Sequence, residues 1–121
     1  EEEWYDNIVE LGWQVYLCSS PPYLMQTAVD KRMNEYTELA MKGEIEKAKR
    51  VRDSLNPVRE ALKHSRAHGK PQASQKYWQD LLGQAGGYVR PPLLQLTEAE
   101  KAKIREAFAG CGLKLPAQRA A

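Results

Sequence analysis

The sequence predicts a mostly α-helical fold with one short β-strand. Apolar residues recur at helical spacing in several stretches, and glycine or proline follows each stretch. A run of strand-forming residues occupies positions 14–18, between Gly12 and a Ser-Ser-Pro-Pro segment. Because the backbone groups of a strand need partners, this lone strand indicates neighbouring strands that the 121 residues do not contain.

Composition and charge exclude several classes of protein. A hydrophobic fraction of 42% with 28% charged residues is typical of a folded domain rather than a disordered chain. Basic residues alternate with acidic ones, giving a net charge of +2. The sequence has no basic block with interleaved aromatic residues, so it does not predict nucleic-acid binding. The sequence has no apolar stretch of about 20 residues, the length that a membrane span needs. The acidic first residues do not fit a signal peptide.

The cysteines and histidines do not predict a metal site. Cys18 and Cys111 are far apart and lie in apolar surroundings, so we expect reduced, buried thiols in a cytoplasmic protein. His64 and His68 lie in a segment with Gly69 and without a neighbouring carboxylate or cysteine, which predicts solvated histidines.

Two helices are predicted in the N-terminal third. Residues 1–11 carry apolar side chains at helical spacing, and Gly12 is a plausible C-cap. Residues 22–42 follow Ser20, a good N-cap, and Gly43 ends them. The predicted apolar face of this second helix comprises Met25, Ala28, Val29, Met33, Tyr36, Leu39 and Ala40.

A further helix is predicted over residues 44–64. Pro57 lies inside its apolar stripe and predicts a kink or a break near Leu55. The stripe continues in phase beyond the proline, which favours a kink.

The C-terminal part contains two more predicted helices. One begins at Pro71, with an apolar face that includes Tyr77 and Trp78, and residues 88–96 follow as an extended, proline-rich segment. Thr97 and Glu100 form a capping box at the start of the last helix. The predicted buried face of that helix is Ile104, Ala107, Phe108 and Cys111, and residues 116–121 are expected to be a frayed tail.

This order of elements resembles one family of enzymes. Residues 11–20 are similar to the closing turn and eighth strand of the dihydrodipicolinate synthase and N-acetylneuraminate lyase family, and residues 22–42 resemble its eighth barrel helix. The resemblance continues through residues 43–48, 70–83 and 91–98. It implies that residues 1–42 are the closing helix–strand–helix of a (β/α)8 TIM barrel. Residues 43–115 would then be a C-terminal three-helix extension.

The resemblance also implies a reaction. Family members are class I lyases, aldolases or dehydratases, in which a lysine on the sixth barrel strand forms a Schiff base with a 2-keto acid. The family also uses a tyrosine that relays protons and a loop that binds the carboxylate of the substrate. None of these motifs is present in this sequence, and its lysines lie on predicted helices or loops. The resemblance therefore implies no catalytic, cofactor-binding or metal-binding residue in this chain.

Two residues of the predicted strand are candidates to face the substrate. Alternation along the strand places Tyr16 and Cys18 on one face, which a barrel strand would turn inward, towards its mouth. Simple filling of the barrel by Tyr16 and a buried structural thiol at Cys18 are the alternatives. The bulky Tyr16 departs from the family pattern, which favours a 2-keto-3-deoxy sugar acid over aspartate semialdehyde or sialic acid.

The implied partners are the N-terminal portion of the same barrel and further copies of the enzyme. The apolar stripes exceed what one strand can cover, so we expect a homo-oligomer, a dimer or a tetramer. The alternative is a self-contained helical protein-interaction module without catalytic activity.

Overall fold

The computed structural model describes residues 3–15 and 22–117. In those ranges the chain is helical and contains no β-strand, which confirms the prediction of a mostly helical chain. Residues 16–21, which include most of the predicted strand, lie outside the described ranges. The elements are α1 (Trp4–Leu11), a 3₁₀ helix (Pro22–Met25), α2 (Arg32–Met41), α3 (Ile45–Asp53), α4 (Asn56–His64), α5 (Pro71–Leu81) and α6 (Glu98–Gly110).

These elements divide between two compact units. Residues up to 56, together with those from 114 onward, form the first unit, and residues 57–113 form the second. Each unit has its own buried residues.

The first unit is a small helical cluster. In it α2 packs along α3, and α1 contacts both. The prediction for α1 is confirmed at Trp4 and Ile8, which are buried, and at Gly12, whose left-handed backbone (φ 65°) ends the helix. Leu11 was predicted on the same face but is 62% exposed. The remaining apolar residues buried in the unit are Tyr5, Leu24, Met25, Met33, Tyr36, Ala40, Ala48 and Leu55.

The predicted continuous helix over residues 22–42 is wrong. The structure has the short 3₁₀ helix, a turn and then α2. In the turn, Thr27 Oγ1 accepts hydrogen bonds from the backbone N–H groups of Val29 (3.2 Å) and Asp30 (2.9 Å). These local bonds compete with helical ones, a known property of threonine, and they leave Val29 53% exposed.

A buried carboxylate holds this turn against two distant parts of the first unit. Asp30 is 1% exposed and accepts from Arg32 Nε (2.9 Å) and Nη2 (2.7 Å). The Lys114 N–H also donates to Asp30 Oδ2 (3.1 Å), and Thr27 Oγ1 donates to the Lys114 carbonyl (2.6 Å). Arg32 Nη1 reaches the Ser54 carbonyl at the end of α3 (2.8 Å). We call these five residues the Asp30 cluster.

The hydrogen bonds of the Asp30 cluster keep the carboxyl group ionised. Burial by itself would raise the pKa of Asp30. The bonds donated by the Arg32 side chain and by the Lys114 and Arg32 backbone outweigh burial, so the pKa lies below its ordinary value. The negative charge is therefore retained inside the fold and paired there.

The predicted single helix over residues 44–64 is also wrong, because the chain forms α3 and α4 as two separate helices. Ser54 and Leu55 lie between them, and the Leu55 N–H bonds to the Arg52 carbonyl (3.0 Å) in a tight turn. Pro57 is the second residue of α4. A proline lacks the N–H that a helix interior needs but fits a first turn, so the chain restarts at Asn56 instead of bending.

The second unit is built on α5 and α6, which pack together. Trp78 of α5 is fully buried and meets Phe108 of α6 edge-on, with ring centroids 5.0 Å apart. Ile104 and Cys111 are buried as predicted. Their burial fixes the face that α6 turns towards α5.

The predicted capping box at the start of α6 is confirmed. Thr97 Oγ1 accepts from the Glu100 N–H (3.2 Å), and the Thr97 N–H donates to Glu100 Oε2 (2.7 Å). Lys70, at the N-cap of α5, also binds the Glu100 carboxylate at 2.7 and 3.0 Å. The hydrogen bonds from Lys70 and Thr97 lower the pKa of Glu100 from 4.5 to about 2. One carboxylate thus caps α6 and ties it to α5.

Replacing Asp30 with alanine should destabilise the chain. Asp30→Ala removes the acceptor shared by Arg32 Nε, Arg32 Nη2 and the Lys114 N–H, at a cost of about 3 kcal/mol in the free energy of unfolding. The matched control is Glu38→Ala, which removes an exposed carboxylate 3.9 Å from Lys42 and should cost less than about 0.5 kcal/mol. Urea denaturation followed by circular dichroism measures both, and equal midpoints would contradict the role given to Asp30.

The Glu100 carboxyl should titrate well below the ordinary glutamate range. A folded-state pKa lowered from 4.5 to about 2 means that this group contributes stability above pH 4.5, which is lost as the pH falls towards 2. In Lys70→Met the pKa of Glu100 should rise towards 4.5, whereas Lys103→Met, on an exposed position of α6, should leave it unchanged. Carboxyl ¹³C NMR gives each value, and an ordinary pKa in the unmutated chain would refute the assignment.

Candidate functional site

The residues predicted to face a substrate, Tyr16 and Cys18, lie outside the described residues. Their neighbours Gln14 and Val15 belong to neither a helix nor a strand and are exposed, Val15 by 73%. The substrate-facing role of Tyr16 and Cys18 therefore stays a prediction.

The described lysines do not have the surroundings of an imine-forming residue. Such a lysine needs a neutral amine, which desolvation in an apolar pocket favours. In residues 3–15 and 22–117 no lysine is fully buried. Lys70 is shielded, with 13% of its side chain exposed, but it is ion-paired with Glu100. The hydrogen bond to Glu98 raises the pKa of Lys101, the opposite of what a nucleophilic amine requires.

The same residues contain neither a metal-binding cluster nor a membrane-spanning helix. The part of the chain that the structure describes holds no group of three or more histidine, cysteine, aspartate or glutamate side chains suited to a metal ion. His64 is exposed at the end of α4, with Nδ1 2.8 Å from the Glu60 carbonyl, and His68 is exposed in the following turn. None of the described helices is long and apolar enough to cross a membrane.

The second unit contains a cavity of about 400 Å³ between α5, the segment after it and the first turns of α6. Ala73, Val89 and Leu96 contribute apolar surface, and Tyr77 and Tyr88 contribute aromatic rings. Three polar side chains, Asp80, Gln95 and Lys101, also line it. This combination of apolar walls and a few polar groups is typical of small-molecule sites.

The wall formed by residues 86 and 87 is fixed by side chains of α5. Asp80 Oδ1 accepts from the N–H groups of Gly86 (3.0 Å) and Gly87 (3.2 Å), and Lys76 Nζ donates to the Gly86 carbonyl (2.8 Å). A Cβ atom at Gly86 would lie 1.8 Å from the Lys76 carbonyl oxygen, so only glycine fits this close approach. The wall therefore exists before any ligand arrives.

The segment 88–96 is anchored on the other side of the cavity. It was expected to be extended but turns at residues 91–92, where the Leu93 N–H bonds to the Arg90 carbonyl (3.0 Å). Gln95 Nε2 donates to the Val89 carbonyl (2.7 Å). Val89 is buried, whereas Tyr88 is 85% exposed. The tyrosine ring consequently stands at the open edge of the cavity.

Hydrogen-bond donors meet at the α6 edge of the cavity. Tyr77 Oη accepts from Arg105 Nη1 (2.7 Å), and Lys101 Nζ lies 5.9 Å from the centre of the Tyr77 ring. Lys101 Nζ also donates to Glu98 Oε1 (2.8 Å). The sequence predicted Tyr77 as a core or subunit-contact residue, and no spacing signal linked it to Lys101 and Arg105, because only the packing of α5 on α6 joins them.

Comparison with known proteins finds a similarity to one enzyme. The chain is 29% identical over 86 residues to the 4-hydroxy-tetrahydrodipicolinate synthase of Halorhodospira halophila (strain DSM 244 / SL1), and the match covers 70% of this chain. It spans 27% of that relative's length. No family model and no solved structure matches the chain. The similarity supports the predicted resemblance to dihydrodipicolinate synthases.

Proposed function

We propose that this chain is part of a Schiff-base-forming lyase that acts on a 2-keto acid by aldol cleavage or dehydration. The observation that carries the proposal is the 29% identity over 86 residues with a 4-hydroxy-tetrahydrodipicolinate synthase. The helical character of the described residues agrees with a helical C-terminal part of such an enzyme.

In this proposal the chain supplies framework rather than the reacting amine. Residues 1–42 complete a (β/α)8 barrel and residues 43–115 form the helical extension. The catalytic lysine belongs to another part of the enzyme, where its imine with the keto group withdraws electrons from the bond that breaks. The lysines of the described residues are exposed or ion-paired, except Lys76, which donates to the Gly86 carbonyl, and these surroundings support this division of roles.

Tyr16 and Cys18 are proposed to face the substrate at the barrel mouth. The side chain of Tyr16 is larger than the family pattern at that position, which favours a polyhydroxylated 2-keto-3-deoxy sugar acid with hydroxyl groups to pair. A substrate like that of dihydrodipicolinate synthases is the other choice within the same reaction class.

The proposed partners are the rest of the barrel and further copies of the enzyme, in the cytoplasm. Exposed apolar side chains support such contacts: the neighbouring Leu93 and Leu94 are 48% and 66% exposed. Burying large apolar groups is the main favourable term in subunit association.

Borohydride trapping tests the lyase proposal. The full gene product incubated with pyruvate and sodium borohydride should gain a covalent adduct, because reduction makes the imine permanent. The 121-residue chain treated in the same way should gain none, since its described lysines are exposed, ion-paired or, at Lys76, hydrogen-bonded to a backbone carbonyl. Intact-mass spectrometry followed by peptide mapping reads both. A full gene product that gains no adduct, or an adduct on a lysine of these 121 residues, would contradict the proposal.

Tyr16→Phe and Cys18→Ala test the substrate-facing residues in the full gene product. Each change should lower kcat/KM about tenfold, the effect of losing one substrate contact. Cys111→Ala is the matched control, since that thiol is 3% exposed at the end of α6, and it should leave kcat/KM unchanged. Unaltered kinetics in both variants would assign Tyr16 and Cys18 to packing alone.

A further inference from the structure

We propose that the cavity of the second unit binds a small organic anion, a carboxylate or phosphate group carried on a compact aromatic body. Every residue that lines it lies between positions 57 and 113. The inference is therefore independent of the lyase proposal and would survive its failure.

The size and walls of the cavity suit such a ligand. Small-molecule sites usually span about 300 to 1,000 Å³ and combine apolar walls with a few polar groups. The cavity, at about 400 Å³, lies at the small end of this range. The hydrogen bond from the Gly87 N–H to Asp80 and the Gln95–Val89 hydrogen bond hold both sides in place, which lowers the entropic cost of binding.

The donors at the α6 edge favour an acidic group. Lys101 Nζ has one hydrogen bond, to Glu98, and an ammonium carries three protons, so it retains donors for a ligand. The Tyr77 hydroxyl accepts from Arg105, which leaves its own proton to donate. A carboxylate or phosphate placed between Lys101 and Tyr77 would receive charge-assisted hydrogen bonds from both.

The acidic side chains near the cavity do not reverse this preference. Asp80 Oδ1 is occupied by the N–H groups of Gly86 and Gly87, and Glu98 is 80% exposed and paired with Lys101. Residues 57–113 contain nine lysine and arginine residues against five aspartate and glutamate residues. The field of the unit is therefore positive and attracts anions.

The aromatic side chains favour a planar ligand body. Tyr77 lines the cavity beside Lys101, and Tyr88 leaves 85% of its surface exposed at the edge. Stacking of a ligand ring on Tyr88 would bury apolar surface that the chain leaves open, in the offset or edge-on geometry that aromatic pairs prefer.

The test is an NMR titration of the ¹⁵N-labelled chain with benzoate and, in parallel, phenyl phosphate. Benzoate or phenyl phosphate should bind with a Kd on the order of 1 mM and shift amide signals of residues 73–101. The tighter of the two anions identifies the preferred acidic group. Benzamide, a neutral ligand of the same shape, should bind at least about tenfold more weakly than benzoate.

A pair of variants on one helix assigns the acidic group to Lys101. Lys101→Met keeps the aliphatic stem but removes the charge, and it should weaken benzoate binding about tenfold or more. Lys103→Met, two residues further along α6 at an exposed position, should leave binding unchanged. Far-UV circular dichroism of both variants verifies that α6 remains folded.

Three results would overturn the inference. If benzamide binds as tightly as benzoate, the cavity has no preference for an anion. If Lys101→Met and Lys103→Met weaken benzoate binding equally, the effect comes from the overall charge of the unit and not from a site at Lys101. Signals that stay in place up to about 10 mM of both anions would show that the cavity takes no such ligand. The borohydride experiment uses no residue of this cavity, so its outcome is separate.

Discussion

The buried carboxylate of Asp30 is the interaction on which the first unit depends. An ionised group inside a fold is tolerated only when it is paired and hydrogen-bonded, and Asp30 satisfies this through Arg32 and Lys114. The same side chains fix the turn before α2 and join it to Ser54 at the end of α3. Tyr36 of α2, the helix that follows this turn, is fully buried. The C-terminal residue 114 is held in the first unit by the same carboxylate.

The second unit rests on different forces. Trp78 and Phe108 supply the aromatic contact between α5 and α6, and the Lys70–Glu100 pair joins the starts of those helices. The residues 83–97 between the helices remain irregular and form much of the cavity wall. A rigid helix pair that carries a loop-built cavity is a common arrangement for binding sites. The two proposals thus concern different residues: the proposed lyase would take its reacting lysine from outside this chain, and the proposed anion site depends on α5 and α6.

Much of the local structure follows from the sequence, and the failures have identifiable causes. The capping box at Thr97 and the helix end at Gly12 were predictable because each depends on residues within one turn. The predicted helix over residues 22–42 is too long for two reasons. The Thr27 hydroxyl accepts from the nearby Asp30 N–H, and the Asp30 carboxylate accepts from the N–H of Lys114, 84 positions away. The cavity could not be predicted from the sequence because it also depends on contacts between distant residues. Tyr77 and Arg105, for example, meet only when α5 packs on α6. Tyr16 and Cys18 lie outside the described residues, so their predicted role still rests on strand alternation and the family resemblance.

We propose that these 121 residues act as the framework of a larger Schiff-base lyase. The match covers 27% of the length of a 4-hydroxy-tetrahydrodipicolinate synthase. The remainder of the gene therefore decides whether the proposal is right. The most direct measurement is the sequence of the whole reading frame that contains this chain. If the chain is part of such a lyase, we expect alternating strands and helices ahead of Glu1, with a lysine on the sixth strand of a (β/α)8 barrel. A reading frame whose folded part consists of these 121 residues alone would contradict it and favour the helical interaction module.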